Sequence, residues 1–311
     1  MKTFSIRSRT LVPLASLIGL AVIFAPLLSA TVQDEKTLYL SALDTDGQSV
    51  TNLTLGDILI REDNQDREVV SVTRATEPMA IVILADTTKE SGTTGLMSRQ
   101  DTISGSAELI RDIRTALTGF VNAISVGSPE STMELMEFGQ AAITVTRMTS
   151  DVADLEKGIK RLYPKIDAAS VLLEGIVEAS KTLAKVKTPR RVIMILNIEP
   201  GDEQSRQDPR KMSDEMAKGG ASLWAVSLQK GTLKNELRGV VLADLAKNTG
   251  GRREFIVGQS ALKDVFEEYA DNLLSQYAVT YLRPAGQTPR LVQVGVMRQG
   301  LSLHANIFAP K

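Results

Sequence analysis

The chain has 311 residues, with 36 Lys and Arg against 37 Asp and Glu, one His and no Cys. That length suits one large domain or two modest ones, and the mixed, near-neutral charge gives no sign of disorder or of a polyanion-binding surface. Without cysteine there are no disulfides, thiolate metal sites or Cys nucleophile, so the fold must rest on its hydrophobic core.

The first thirty residues stand apart. Lys2, Arg7 and Arg9 precede an apolar run, Leu11 to Leu28, that ends in Leu28-Ser29-Ala30. A basic start, an apolar middle and small residues at the exit describe an export signal cleaved at Ala30. The alternative is an uncleaved anchor, because about eighteen apolar residues can just span a bilayer. Residues 1–30 are therefore a signal peptide or membrane anchor, and the rest is expected outside the cytoplasm, periplasmic or extracellular. Removing Lys2, Arg7 and Arg9 leaves 33 basic against 37 acidic residues, a net charge of −4. That balance disfavours nucleic acid and anionic lipid as partners.

Residues 31–76 read as a β-rich segment. Thr37 to Leu43 alternates, Asp44-Thr45-Asp46-Gly47 is a turn, and Asp57 to Arg61 and Glu68 to Val72 are further short strands. The acids Asp44, Asp46, Asp63 and Asp66 fit no EF-hand spacing and are expected in solvated turns. The α/β region, 77–275, opens on Met79-Ala80-Ile81-Val82-Ile83-Leu84-Ala85-Asp86, an unbroken apolar run ending in an acid. Such a run is expected to be a strand buried on both faces, with Asp86 where open α/β sheets place their ligands.

Lys89 to Ser104 reads as a surface loop. Helical spacing resumes at Ile110, Ile113, Leu117, Phe120 and Ile124. Met133 to Phe138 and Ala142 to Val145 are strands, the second an edge. Asp151 caps a helix through Leu162 that Pro164 terminates, and Ser170 opens the next one. Arg191 to Leu196 and Ala221 to Leu228 are further buried strands, separated by a polar loop over 197–209 and a helix over 211–218 that stops at Gly219-Gly220. Leu237, Val240, Val241, Leu245 and Ala246 form a helix that stops at Asn248-Thr249-Gly250-Gly251. A short strand at Glu254 to Val257 and a last helix from Leu262 to Leu273 complete the region. The tail, 276–311, is all strand. The fold class is thus α/β, a doubly wound, mostly parallel sheet of Rossmann-like type. The N- and C-terminal flanks are expected to meet as a small β module.

In this order, Ile83-Leu84-Ala85-Asp86-Thr87-Thr88, Leu155 to Glu174, Arg191 to Asn197, Gly220 to Leu228, Leu245-Ala246-Lys247-Asn248-Thr249-Gly250-Gly251-Arg252 and Gln276-Tyr277-Ala278-Val279-Thr280-Tyr281 resemble the von Willebrand factor type A-related proteins that bacteria export. The resemblance covers nearly everything after residue 30. It implies a type A domain with an adhesion or assembly role. It also implies a metal-ion-dependent adhesion site, with an Asp-x-Ser-x-Ser loop, a Thr on a second loop and an Asp on a third.

Here Asp86 matches the first acid, Thr88 replaces the first Ser, Glu90 stands in for the second, and Ser170 takes the Thr position. Ile198 falls where the third-loop Asp belongs, with Glu199 and Asp202 as nearby acids. A magnesium ion held by Asp86, Thr88, Glu90 and Ser170 is one expectation. The favoured one is a degenerate site with no cofactor, in which Asp86, Lys89, Glu90, Ser170, Asn197 and Glu199 face a protein partner.

Catalysis finds no support. His304 sits alone in a strand, and Ser91-Gly92-Thr93-Thr94-Gly95 lacks the Lys of a phosphate loop. Thr88 also occupies the place of the second acid that a phosphoryl-transfer site would need. Trp224, Tyr277 and Tyr281 are expected in the core rather than on a carbohydrate-binding face.

Overall fold

A computed structural model of the protein describes residues 32–88, 99–163, 170–199, 201, 203–229 and 234–310. The signal or anchor at 1–30, Lys89, Glu90, Pro164 and Asp202 lie outside the described residues. Among the described residues no helix is long and apolar enough to cross a membrane.

The chain opens with β1 (Gln33–Leu43), β2 (Ile58–Glu62), β3 (Gln65–Arg67) and β4 (Val69–Arg74), then enters β5 (Met79–Asp86). The α/β part follows as α1 (Arg99–Gly127), β6 (Thr132–Phe138), β7 (Ala142–Thr149), α2 (Val152–Arg161), α3 (Leu172–Ala184), β8 (Arg190–Glu199), α4 (Met212–Gly219), β9 (Ser222–Gln229), α5 (Glu236–Thr249), β10 (Arg253–Ile256) and α6 (Leu262–Leu274). The chain ends in β11 (Tyr277–Pro284), β12 (Val292–Val296) and β13 (Ser302–Ala305).

Six strands form the main sheet in the order β10-β9-β8-β5-β6-β7, all parallel except β7, which runs antiparallel to β6 at the edge. Every residue of β5 is buried. Its period of two sends Met79, Ile81, Ile83 and Ala85 into a core shared with α1, α2 and α6, and Ala80, Val82 and Leu84 into a second core under α3, α4 and α5. A strand covered on both faces has no position for a polar side chain until it leaves the sheet, which is why the run is apolar as far as Asp86. This is the architecture that the type A resemblance implies.

Asp151 caps α2 as expected, accepting from the amides of Ala153 (2.8 Å) and Asp154 (3.3 Å). Trp224 is fully buried and meets Tyr269 edge-on at 5.2 Å. Gly250 ends α5 at φ +75°, a left-handed cap where the Ala305 backbone also passes too close for any Cβ.

The chain ends meet as expected. β1 lies between β11 and β13, β11 also pairs with β4, and a smaller sheet runs β12-β2-β3. Between these sheets Leu38, Leu40, Ile58, Ile60, Tyr277, Val279, Tyr281 and Val292 form a third core. Within it the buried Glu62 carboxylate faces Arg67 at 2.9 Å and Arg283, and accepts a hydrogen bond from the Tyr281 hydroxyl.

Two local expectations are corrected, and one helix phase that the sequence left open is set by packing. The segment read as loop through Ser104 is helical from Arg99, where Gly105 and the polar Ser104 and Ser106 had hidden the period. β8 continues to Glu199, so Asn197 and Glu199 are strand residues rather than the start of a surface loop. The helix α5 carries apolar residues on two faces, and packing selects one of them. Leu237 and Val240 are 43% and 61% exposed, while Arg238 shares the inner face with Val241, Leu242 and Leu245.

Candidate functional site

Strands β5 and β8 are neighbours at the point where successive connections leave to opposite sides of the sheet, the crevice in which open α/β folds bind ligands. Asp86 ends β5 there and is completely buried. One carboxylate oxygen accepts from the Thr88 amide (2.9 Å) and hydroxyl (2.6 Å), and the other accepts from the Ile198 amide (3.1 Å). Burial pushes its pKa up, against the opposing pull of the Arg238 charge and these hydrogen bonds.

Arg238 is the residue that sequence reasoning missed, and it organises the site. Its guanidinium is wholly buried, with Nη1 3.5 Å from Asp86 Oδ2. Nε donates to Glu203 Oε2 (2.6 Å), Nη1 to Asn197 Oδ1 (2.9 Å) and Nη2 to Ser170 Oγ. One planar cation therefore ties together the ends of β5 and β8, the turn before α3 and the loop after β8. Glu203 is anchored in turn. Its carboxylate accepts from the Leu172 amide (3.3 Å) at the start of α3, where the helix dipole favours an anion, and from the Ser205 amide (3.2 Å). The available signal for Arg238 was its place on the 238, 241, 242, 245, 249 stripe of α5: a charge on an apolar face needs partners of its own.

A second buried group adjoins the first. Asn197 donates to Glu199 Oε1 (2.8 Å), which lies 3.5 Å from Arg253 Nη2, and Glu199 Oε2 accepts from the Asn235 amide (3.0 Å). Arg253 Nη1 donates to the Gly239 carbonyl (2.5 Å), and burial lowers the pKa of its guanidinium. Asn197 thus joins two acid–arginine pairs across the top of the sheet.

Of the residues expected to face a partner, Asp86, Ser170, Asn197 and Glu199 are brought together, but all four are buried. As arranged, they present no side chain to a partner. Glu199 turns away from Asp86 toward Arg253, and the second acid near Asp86 is Glu203. Thr88 is partly exposed and holds Asp86 through its hydroxyl.

Magnesium asks for hard oxygen donors in near-octahedral array. The oxygens of Asp86, Ser170, Asn197 and Glu203 are directed at a guanidinium that stands among them, so these residues as arranged do not fit the ion. Among the described residues, no group of three or more His, Cys, Asp or Glu could hold a metal.

The guanidinium has room because residue 201 is glycine: a Cβ there would collide with Arg238 Nη1. Gly201→Ala is expected to lower stability by about 1–3 kcal/mol through overpacking. Gly56→Ala, where a Cβ meets nothing within 4 Å, is expected to stay within about 0.5 kcal/mol. Urea titrations of both variants check this, and equal losses would mean that Gly201 is not holding space for Arg238.

No family model matches the chain, and no curated protein matches it. Among solved structures it is similar to proximal thread matrix protein 1 from the mussel byssus, at 13% identity over 72% of this chain and 50% of that one, with a TM-score of 0.48. It is similar to a von Willebrand factor type A protein from Catenulispora acidiphila at 10% identity, over 88% and 74%, with a TM-score of 0.47. It is also similar to the PilB minor pilin from Streptococcus sanguinis at 11% identity, over 65% and 63%, with a TM-score of 0.45. The chain spans half the length of the byssus protein and less than two thirds of that of the pilin.

Proposed function

We propose that this is an exported protein-interaction module of type A architecture, with adhesion or assembly as its role, that works without a metal ion. The observation that carries the reading is the Arg238 guanidinium among Asp86, Ser170, Asn197 and Glu203. A divalent ion at such a site would supply positive charge and tie loops together. Arg238 supplies both from within the chain, with no open coordination position for a partner's acid. Binding then falls to the exposed rim at this end of the sheet, where Gln140, Arg206, Lys234 and Glu236 stand. The partner is another protein, and the net negative charge speaks against nucleic acid. An enzyme reading gains nothing from His304, whose Nδ1 lies 3.2 Å from the Gly251 carbonyl in the β module.

Calorimetric titration of magnesium, then manganese, into the chain should give no saturable heat, with Asp86→Ala indistinguishable from the parent. Saturable heat that vanishes in Asp86→Ala would restore the alternative, a magnesium-dependent site using Asp86, Thr88, Glu90 and Ser170. Photo-crosslinkers placed at positions 206 and 234 in intact cells should trap a partner protein in a yield that EDTA leaves unchanged. No adduct from either position would remove the rim from consideration.

A further inference from the structure

At the opposite end of the strands, where β8 and β9 begin, a cavity of about 430 Å³ lies between the main sheet and the β module. That volume is within the range of small-molecule sites. Four cationic side chains line it, Lys187, Arg190, Arg191 and Lys218, and among the described residues no Asp or Glu side chain does.

Two of these cations are held in place by backbone carbonyls, with no salt bridge among the described residues. Arg190 is 4% exposed; it donates to the carbonyls of Glu77 (2.8 Å) and Leu273 (2.5 Å) and to Gln276 Oε1 (3.1 Å), and its Nε has no partner. Arg191 donates only to the carbonyls of Thr188 (3.0 Å), Gly219 (2.9 Å) and Val186 (2.7 Å). The Glu77 carboxylate acts on Arg190 through space, and burial still lowers the Arg190 pKa to about 10. Of the two lysines, Lys218 pairs with Glu215 at the surface (2.6 Å), and Lys187 is exposed.

Charge removed from water is costly unless an opposite charge meets it. Carbonyls at the ends of α3, α4 and α6 orient these arginines, and the buried Arg190 keeps one N–H, at Nε, without an acceptor. The remaining walls include Leu38, Pro189, Val192 and Phe308, which suit hydrocarbon rather than bulk water. The Arg190 guanidinium, planar and with its Nε–H unpartnered, matches an oxygen of a carboxylate or phosphoryl group.

We propose that this cavity binds a small organic anion, a carboxylate or phosphoryl head on a short apolar body. The head meets Arg190, Lys187 and Arg191 add positive charge at the cavity wall, and the body lies against Leu38 and Phe308. The site is independent of the metal question at the other end of the sheet.

The test is isothermal titration of the full chain with benzoate, phenyl phosphate and the neutral analogue benzyl alcohol. Saturable binding of either anion, with none of the alcohol, is expected, and the tighter of the two names the head group. Arg190→Gln should abolish the binding. Because Arg190 also holds the end of α6 and that variant could fail to fold, the exposed Lys187→Glu runs beside it and should weaken binding by about tenfold. The proposal is overturned if neither anion binds, if the alcohol binds as well as the anions, or if Lys187→Glu leaves the affinity unchanged.

Discussion

Replacing Arg238 by Ala should lower folding stability by about 3–5 kcal/mol, the range for removing one partner of a buried ion pair. The variant leaves Asp86 and Glu203 as two buried carboxylates with no cation between them, and Ser170 and Asn197 without their donor. Arg238→Lys should recover little, because a single ammonium cannot reach acceptors on four separate segments as a planar fork does. Arg238→Met combined with Asp86→Asn and Glu203→Gln should regain much of the loss, since it removes the charges together rather than stranding them. Urea unfolding of the three variants measures this. A loss under about 1 kcal/mol for Arg238→Ala would mean that the guanidinium does not tie the loops.

Glu62→Gln is the second large effect, again about 3–5 kcal/mol. Arg67 and Arg283 are 8% and 4% exposed at their side chains and share this one carboxylate, with the Tyr281 hydroxyl as a third donor. Burial pushes the Glu62 pKa up, but the hydrogen bonds from Arg283, Tyr281 and Arg67 outweigh it and hold the pKa below its ordinary value of 4.5. The sign follows from linkage. A depressed carboxylate pKa contributes stability that is complete above 4.5 and is lost as pH falls through the folded value. The parent should therefore lose stability steeply below about pH 4.5, and Glu62→Gln should be less stable at pH 7 with a shallower acid limb. Parallel acid limbs in the two proteins would place the titrating group elsewhere.

These two clusters mark the boundary of what the sequence discloses. The buried strands were legible because a run such as Ile81 to Ala85 has few other uses, and Asp86 was legible because it breaks that run. The chain ends were paired by reasoning that like segments seek each other, and β1 does lie against β11. Arg238 was harder to see because its helix carries apolar residues on two faces, Leu237 and Val240 outside, Val241 and Leu245 inside. Only the tertiary packing selects between those phases. Glu203 sits in a loop without periodicity, and nothing in its neighbours signals that it is the second acid. Asn197 and Glu199 were read as loop because polar residues usually leave a sheet. Here they stay in β8 because Arg238, Arg253 and Asn235 satisfy them where water cannot.

The pairing of β1 with β11 also governs the order in which this protein can fold. Thr37 and Thr280 share a hydrogen bond across 243 positions, so β1 has its neighbour only after almost the whole chain has been made or threaded. Contacts that close so long a loop form late, because the entropy of closure precedes any return from pairing. The α/β part draws most of its contacts from adjoining strands and helices and can assemble first. Until the last thirty-five or so residues arrive, β1 and β4 stand as open strand edges, the kind of surface on which chains join one another wrongly. That interval, with two strand edges open at once, is when misjoining between chains is most favoured.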